Sequence, residues 1–198
     1  MELCATLKSK IGIFGGSFNP IHNGHIAVAK AALNQLKLDK LILVPSKKQP
    51  FKDAHELAAF HHRFTMVWLA IRHDKRMICD DVERSIEGTT YLIATLRLLR
   101  EKYEGEFCFI MGGDSAAEFH LWKDSEEIRK LAKLVVFPRN DDLVPEDMIA
   151  LNFPNRCESS TDIRFAVKCG DPVNRLVPEP VARYIEAWEL YKNSTLLL

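Results

Sequence analysis

Apolar residues along this chain fall into two kinds of run, and the two kinds alternate. Residues 10–14 (KIGIF), 40–44 (KLILV), 77–79 (MIC), 106–111 (EFCFIM) and 133–137 (KLVVF) are short and nearly unbroken. Unbroken apolar runs predict strands covered on both faces. Between them lie longer stretches with helical spacing, at 22–36, 55–73, 89–103 and 125–130. In the third, Leu92, Ile93, Leu96 and Leu99 recur every three to four residues and make one apolar face. Strand and helix alternating at this length predict an α/β fold, a Rossmann-like doubly wound parallel sheet.

The last third reads differently. Residues 140–157 hold Pro145 and Pro154 and little periodicity, which predicts a loop with at most a short helix. Two helical patterns follow, 161–168 and 180–188, divided by Gly170-Asp171-Pro172. The expected organisation is one domain over 1–198, with 158–198 as a small helical C-terminal portion. Residues 45–52 (PSKKQPFK) read as a loop beside the sheet.

Composition narrows the class. Of 198 residues 47% are hydrophobic and 27% charged, as in ordinary globular domains, which excludes a disordered or fibrous chain. Lys+Arg and Asp+Glu are 27 each, so the basic excess of a nucleic-acid or anionic-membrane binder is missing. The expected partners are small molecules, with no nucleic acid and no membrane; a homo-oligomer is left open. Five scattered cysteines contain no CxxC pair, so neither zinc nor a dithiol motif is expected. The first ten residues lack the apolar core of a signal peptide, and no apolar stretch reaches the roughly 18 residues of a membrane span. A cytoplasmic protein is expected.

The chemistry concentrates in residues 12–25, GIFGGSFNPIHNGH. A strand expected to end at Phe14 is followed by Gly15-Gly16-Ser17, and a helix is expected to begin near 20–22. In open α/β sheets ligands bind beyond the carboxyl ends of strands. Gly15 and Gly16 let the backbone approach a ligand closely, and the helix start offers N–H groups and partial positive charge to a phosphate. His22 and His25 share one face of the first turn, and Gly24 between them implies close packing. Bound polyphosphate is expected to promote protonation of both imidazoles against the helix dipole. GxGxxG and GxxxxGK[ST] are both absent. A second phosphate-type segment, Ser159-Ser160-Thr161-Asp162-Ile163-Arg164, stands far downstream. By itself it is a helix N-cap followed by an arginine fork suited to phosphate.

GGSFNPIHNGH, with His22-Asn23-Gly24-His25 as its core, is similar to the signature of the HxGH nucleotidyltransferase superfamily. SSTDIR resembles the second signature, SSTxIR. With Leu176-Val177-Pro178, residues 181–185 (VARYI), Glu83-Arg84, residues 88–96 (GTTYLIATL) and 110–115 (IMGGDS), the chain resembles the bacterial nicotinate mononucleotide adenylyltransferase family over nearly its whole length.

The resemblance implies an enzyme that transfers AMP from ATP to nicotinate mononucleotide, with Mg²⁺ carried by ATP and no metal site of its own. It implies His22, His25 and Arg164 as the catalytic set. ATP would lie against Gly15, Gly16, Ser17, Phe18, His22, His25, Gly112, Asp114, Ser160, Thr161 and Arg164. The acceptor would lie against Asn19, Lys52, Thr90, Tyr91, Trp122 and Arg139. Asp114 would bond a ribose hydroxyl or cap a helix; Trp122 would stack on a cationic pyridinium or simply be half-buried. Arg63 and Met66 match a recurrent Arg-x-x-Met; the role of Arg63, with a structural one among the readings, is left open.

Two departures stand out. Leu92 and Ala94 replace a Thr and an Asp, removing a hydroxyl near the expected pyridine carboxylate, and Phe51 stands where a His commonly precedes the lysine. A lost polar group can shift discrimination strongly, so nicotinamide mononucleotide stays open as the acceptor. Phosphopantetheine adenylyl transfer, CTP-dependent cytidylyl transfer and non-catalytic regulation by nucleotide binding stay open beside it.

Overall fold

The computed structural model describes residues 8–47, 57–138, 143–152 and 158–192. Among these, six strands form one parallel sheet: β1 (Lys10–Gly16), β2 (Lys40–Pro45), β3 (Met77–Cys79), β4 (Glu106–Gly112), β5 (Lys133–Phe137) and β6 (Ile149–Ala150), in the order β3-β2-β1-β4-β5-β6. The described α-helices are α1 (Asn23–Gln35), α2 (Phe60–Ile71), α3 (Leu92–Lys102), α4 (Gly113–Ala117), α5 (Ser125–Leu131), α6 (Ser160–Cys169) and α7 (Glu179–Ala187).

Alternate residues of the apolar runs face opposite sides, which is why the runs are continuous. In β1, Phe14 joins a core with Leu41, Leu43, Ile110 and Val135, while Ile11 and Ile13 join a second with Ile42, Phe107, Phe109 and Val136. The first core is closed by α1, α2, α6 and α7, through Val28, Leu33, Met66, Ile163 and Val181. The second is closed by α3 and α5, through Ile93, Leu96, Leu99 and Ile128. The C-terminal helices therefore share the sheet's core and add none of their own.

Sequence and structure differ in places. β1 continues two residues past Phe14, since Gly15 pairs with Val44 and Gly16 with Pro45. The helix expected at 89–103 starts only at Leu92, with Tyr91 extended as its cap and Thr90 outside it. Residues 140–157, expected to be loop or helix, contribute the edge strand β6; only two residues long and exposed, it leaves no periodic trace.

The strand order reverses between β1 and β4, so their carboxyl ends splay apart and leave the crevice where such sheets bind ligands. Among the described residues no helix is long and apolar enough to cross a membrane.

Candidate active site

The chain leaves β1 at Ser17 and turns sharply. Phe18 has φ 45°, an uncommon conformation for a bulky residue that its surroundings must hold in place. Its ring is buried edge-on against Phe14 (5.5 Å) and His25 (5.1 Å). Gly16 makes room, for a Cβ there would lie 3.2 Å from the Phe18 ring.

His22 caps α1 with extended backbone, and its ring lies 3.7 Å, centre to centre, from that of His25. Gly24 is the close approach expected of it: a Cβ would stand 3.0 Å from His22 Nδ1 and 3.5 Å from Glu158 Oε2. The His22 backbone N–H donates to His25 Nδ1 at 3.2 Å. An amide N–H can only donate, so Nδ1 carries no proton and neutral His25 holds its hydrogen on Nε2. That geometry describes the ring without a bound polyphosphate. A proton on His25 Nδ1 would face the amide hydrogen, and His25 is set as a neutral Nε2–H donor.

The downstream signature packs on this turn. Ser159 caps α6, its hydroxyl accepting from the Asp162 N–H (3.1 Å) and donating to the Asp162 carboxylate (2.7 Å). The Ser160 hydroxyl donates to the Pro20 carbonyl at 3.0 Å, and Arg164 Nη1 donates to the Asn19 carbonyl at 3.1 Å. Asn23 binds the segment before α7, through its N–H to Leu176 O and its side chain to Arg175 O. Residues near 20 and near 160 thus form one surface, where the N-termini of α1 and α6 lie side by side. With its proton on Pro20, the Ser160 hydroxyl has none to offer a phosphate; the helix start offers backbone N–H groups instead. Thr161 is exposed beside it.

Asn19, expected against the acceptor, is buried, and its side-chain oxygen accepts from the Ala58 N–H and the Tyr191 hydroxyl, each at 3.0 Å. The role of Arg63, open from sequence, is structural. The residue is 1% exposed, donating from Nε to Ala58 O (2.8 Å) and from Nη1 to Ser17 O (2.7 Å).

At the end of β4, Gly112 caps the short α4, and a Cβ on it would touch Phe137. Asp114 is the second residue of α4, exposed at the crevice rim, and not its cap. Trp122 is half-buried on Phe119 (5.5 Å) and Phe109 (6.2 Å). Tyr91 caps α3, 37% exposed, with the Lys123 ammonium 4.7 Å over its ring; Thr90 beside it is buried. Lys52 and Arg139 lie outside the described residues, as does Phe51.

Local sequence patterns miss several supports. Glu83 is buried, accepting from the Thr95 hydroxyl (2.9 Å) and the Lys47 N–H (2.9 Å), which anchors the chain leaving β2. Lys123, Glu158 and Tyr191 belong to no local motif, and only the fold brings them to the site.

A cytidylyltransferase-like family model matches residues 13–166, spanning both signatures. A Clostridium tetani protein named probable nicotinate-nucleotide adenylyltransferase is 34% identical, over 92% of this chain and 99% of its own. One of the same name from Leifsonia xyli is 36% identical, over 98% and 99%. The nicotinic acid mononucleotide adenylyltransferase of Plasmodium falciparum, solved in complex with NaAD, superposes with TM-score 0.78 at 22% identity, covering 92% of this chain and 97% of that one. At that identity the superposition speaks for the fold.

Proposed function

The chain belongs to the cytidylyltransferase-like family and, within it, to the nicotinate-nucleotide adenylyltransferases, and from that premise we propose that it joins the AMP part of ATP to nicotinate mononucleotide, giving deamido-NAD and pyrophosphate. The observation that carries this reading is the meeting of the 17–25 turn with Ser160 and Arg164 beside the β1/β4 crevice.

A 5′-phosphate oxygen of the mononucleotide attacks the α-phosphorus of ATP. A new P–O bond forms, the bond to the bridging oxygen breaks, and pyrophosphate departs with that electron pair. The attacking phosphate has a second pKa near ~6 and is mostly dianionic at neutral pH, so no general base is needed. The work left to the protein is to align two repelling anions and to stabilise the charge that develops. His25 donates from Nε2 to the reacting phosphate. His22, Arg164 and the N-termini of α1 and α6 hold the rest of the triphosphate, beyond the carboxyl end of β1 at Gly15 and Gly16. Asp114 takes a ribose hydroxyl; Tyr91 and Trp122 flank the acceptor ring.

Mg²⁺ enters with ATP. As a hard cation that keeps much of its water shell, it would be held by triphosphate oxygens and water. The described cysteines Cys79, Cys108 and Cys169 are free thiols, and the cytoplasm is the compartment we propose.

Nicotinamide mononucleotide is a second reading, favoured by Leu92 and Ala94, which bring no hydroxyl to the first turn of α3. Pyrophosphate release from Mg-ATP decides, with nicotinate mononucleotide, nicotinamide mononucleotide and phosphopantetheine offered in parallel and CTP replacing ATP. Nicotinate mononucleotide with ATP is expected to be fastest; no release with either pyridine nucleotide sinks the proposal. A single-turnover gel is expected to show no adenylylated protein.

A further inference from the structure

Several buried bonds meet on Asn19. Its side-chain oxygen accepts from the Ala58 N–H and the Tyr191 hydroxyl, and its carbonyl accepts from Arg164. The Ala58 N–H can only donate, so the atom facing it is the amide oxygen and not the nitrogen. The phenol must then donate as well. Tyr191 is held in that state, since burial pushes its hydroxyl well above the ordinary tyrosine range.

The carbonyls on either side of Phe18 are both clamped by guanidinium groups, Ser17 O by Arg63 and Asn19 O by Arg164. Between the clamps sits the residue with φ 45°. A strained turn persists only where its surroundings over-determine it. Three distant parts of the chain supply that constraint here: the start of α2, the first turns of α6, and the segment after α7 that carries Tyr191. The same turn leads directly to His22 and the start of α1.

We infer that Tyr191 is a positioning residue for the nucleotide: through Asn19 it fixes the 17–20 turn so that Arg164 and the N-terminus of α1 face one triphosphate. The phenol bonds Asn19 and not the nucleotide, and its effect is transmitted by the turn. The inference rests on the reading above that ATP binds at this surface.

The experiment uses the full chain and reads equilibrium ATP affinity separately from turnover. Tyr191→Phe removes one neutral hydrogen bond and keeps the ring. The Kd and KM for ATP are expected to rise about fivefold, the scale of one such bond. The KM for nicotinate mononucleotide should stay within about twofold, and the melting temperature within about 4 °C. Asn19→Ala should show at least the same loss. The double variant should be no worse than Asn19→Ala alone, because residues acting through one another are not additive. Unchanged ATP affinity in Tyr191→Phe, equal rises in both KM values, or additive losses in the double variant would overturn the inference. The Kd comparison decides it even in a chain that binds ATP and turns over neither pyridine nucleotide, an outcome that would overturn the acceptor assignment instead.

Discussion

His25 shows how one hydrogen bond sets a side chain's chemistry. The His22 N–H occupies Nδ1, so the ring's remaining donor is on the far side, and the neighbouring Phe14 and Phe18 rings restrict its tilt. His25→Ala removes that donor while leaving the buried partners in place. Its kcat is expected to fall about 10²–10³-fold, the range measured for single preorganised donors at anionic transition states. Steady-state kinetics at saturating substrates, with the melting temperature as a folding control, check it. Motif spacing already put His22 and His25 on one helical face, and Gly24 between them announced close packing. Which nitrogen bears the proton was not legible, because that depends on the backbone angle at the cap. Asn19, set against the acceptor by the family resemblance alone, carries bonds to Ala58 and Tyr191 that no local pattern announces.

At the scale of elements, continuous apolar runs located five strands, with Met77–Cys79 and Lys133–Phe137 matching end to end. Ends moved where glycine or proline stayed paired, as at Gly15, Gly16 and Pro45. Contacts between elements were invisible, and the Glu83–Thr95 pair is the instructive case. Thr95 lies on α3, Glu83 in the 3₁₀ turn after β3, and the Lys47 N–H just past β2; the carboxylate ties all three together. Thr95→Val preserves shape and deletes one donor to a buried carboxylate, which is expected to cost about 1–3 kcal/mol. Urea denaturation measures it, and an unchanged midpoint would show that water replaces the hydroxyl.

Across the whole molecule, two surfaces far apart along the chain act on one ligand, and this can be measured as a linkage effect. A ligand at about 100 times its Kd should stabilise the fold by about 2.7 kcal/mol. Mg-ATP is therefore expected to raise the melting temperature of the wild-type chain, and much less that of Arg164→Ala at the same concentration. Equal shifts in the two proteins would remove Arg164 from the nucleotide site. Alkaline stability tests the opposite edge of the sheet. Tyr103 donates to the buried Asp80 carboxylate, which also accepts from Lys102 and the Val82 N–H. Burial first, and then that bond, push the Tyr103 hydroxyl from its ordinary 10 up to about 12. The folded state thus holds a proton that the unfolded chain releases sooner. This contribution is fully present below pH 10 and is lost as pH rises through about 12. Tyr103→Phe is expected to flatten the decline over that interval in a pH series of denaturation midpoints.

The amino-acid order by itself determined the layered α/β class, five of the six described strands, both phosphate-type signatures and the family. Each of these is a local pattern: an apolar period, a glycine turn, a helix start. Only the tertiary structure decided that the turn at 17–25 and the helix start at 160 form one surface, that His25 is a neutral donor, and that Tyr191 braces Asn19. The surface and the brace depend on hydrogen bonds closed over more than a hundred residues, and the His25 proton on a backbone angle; no local periodicity can name either.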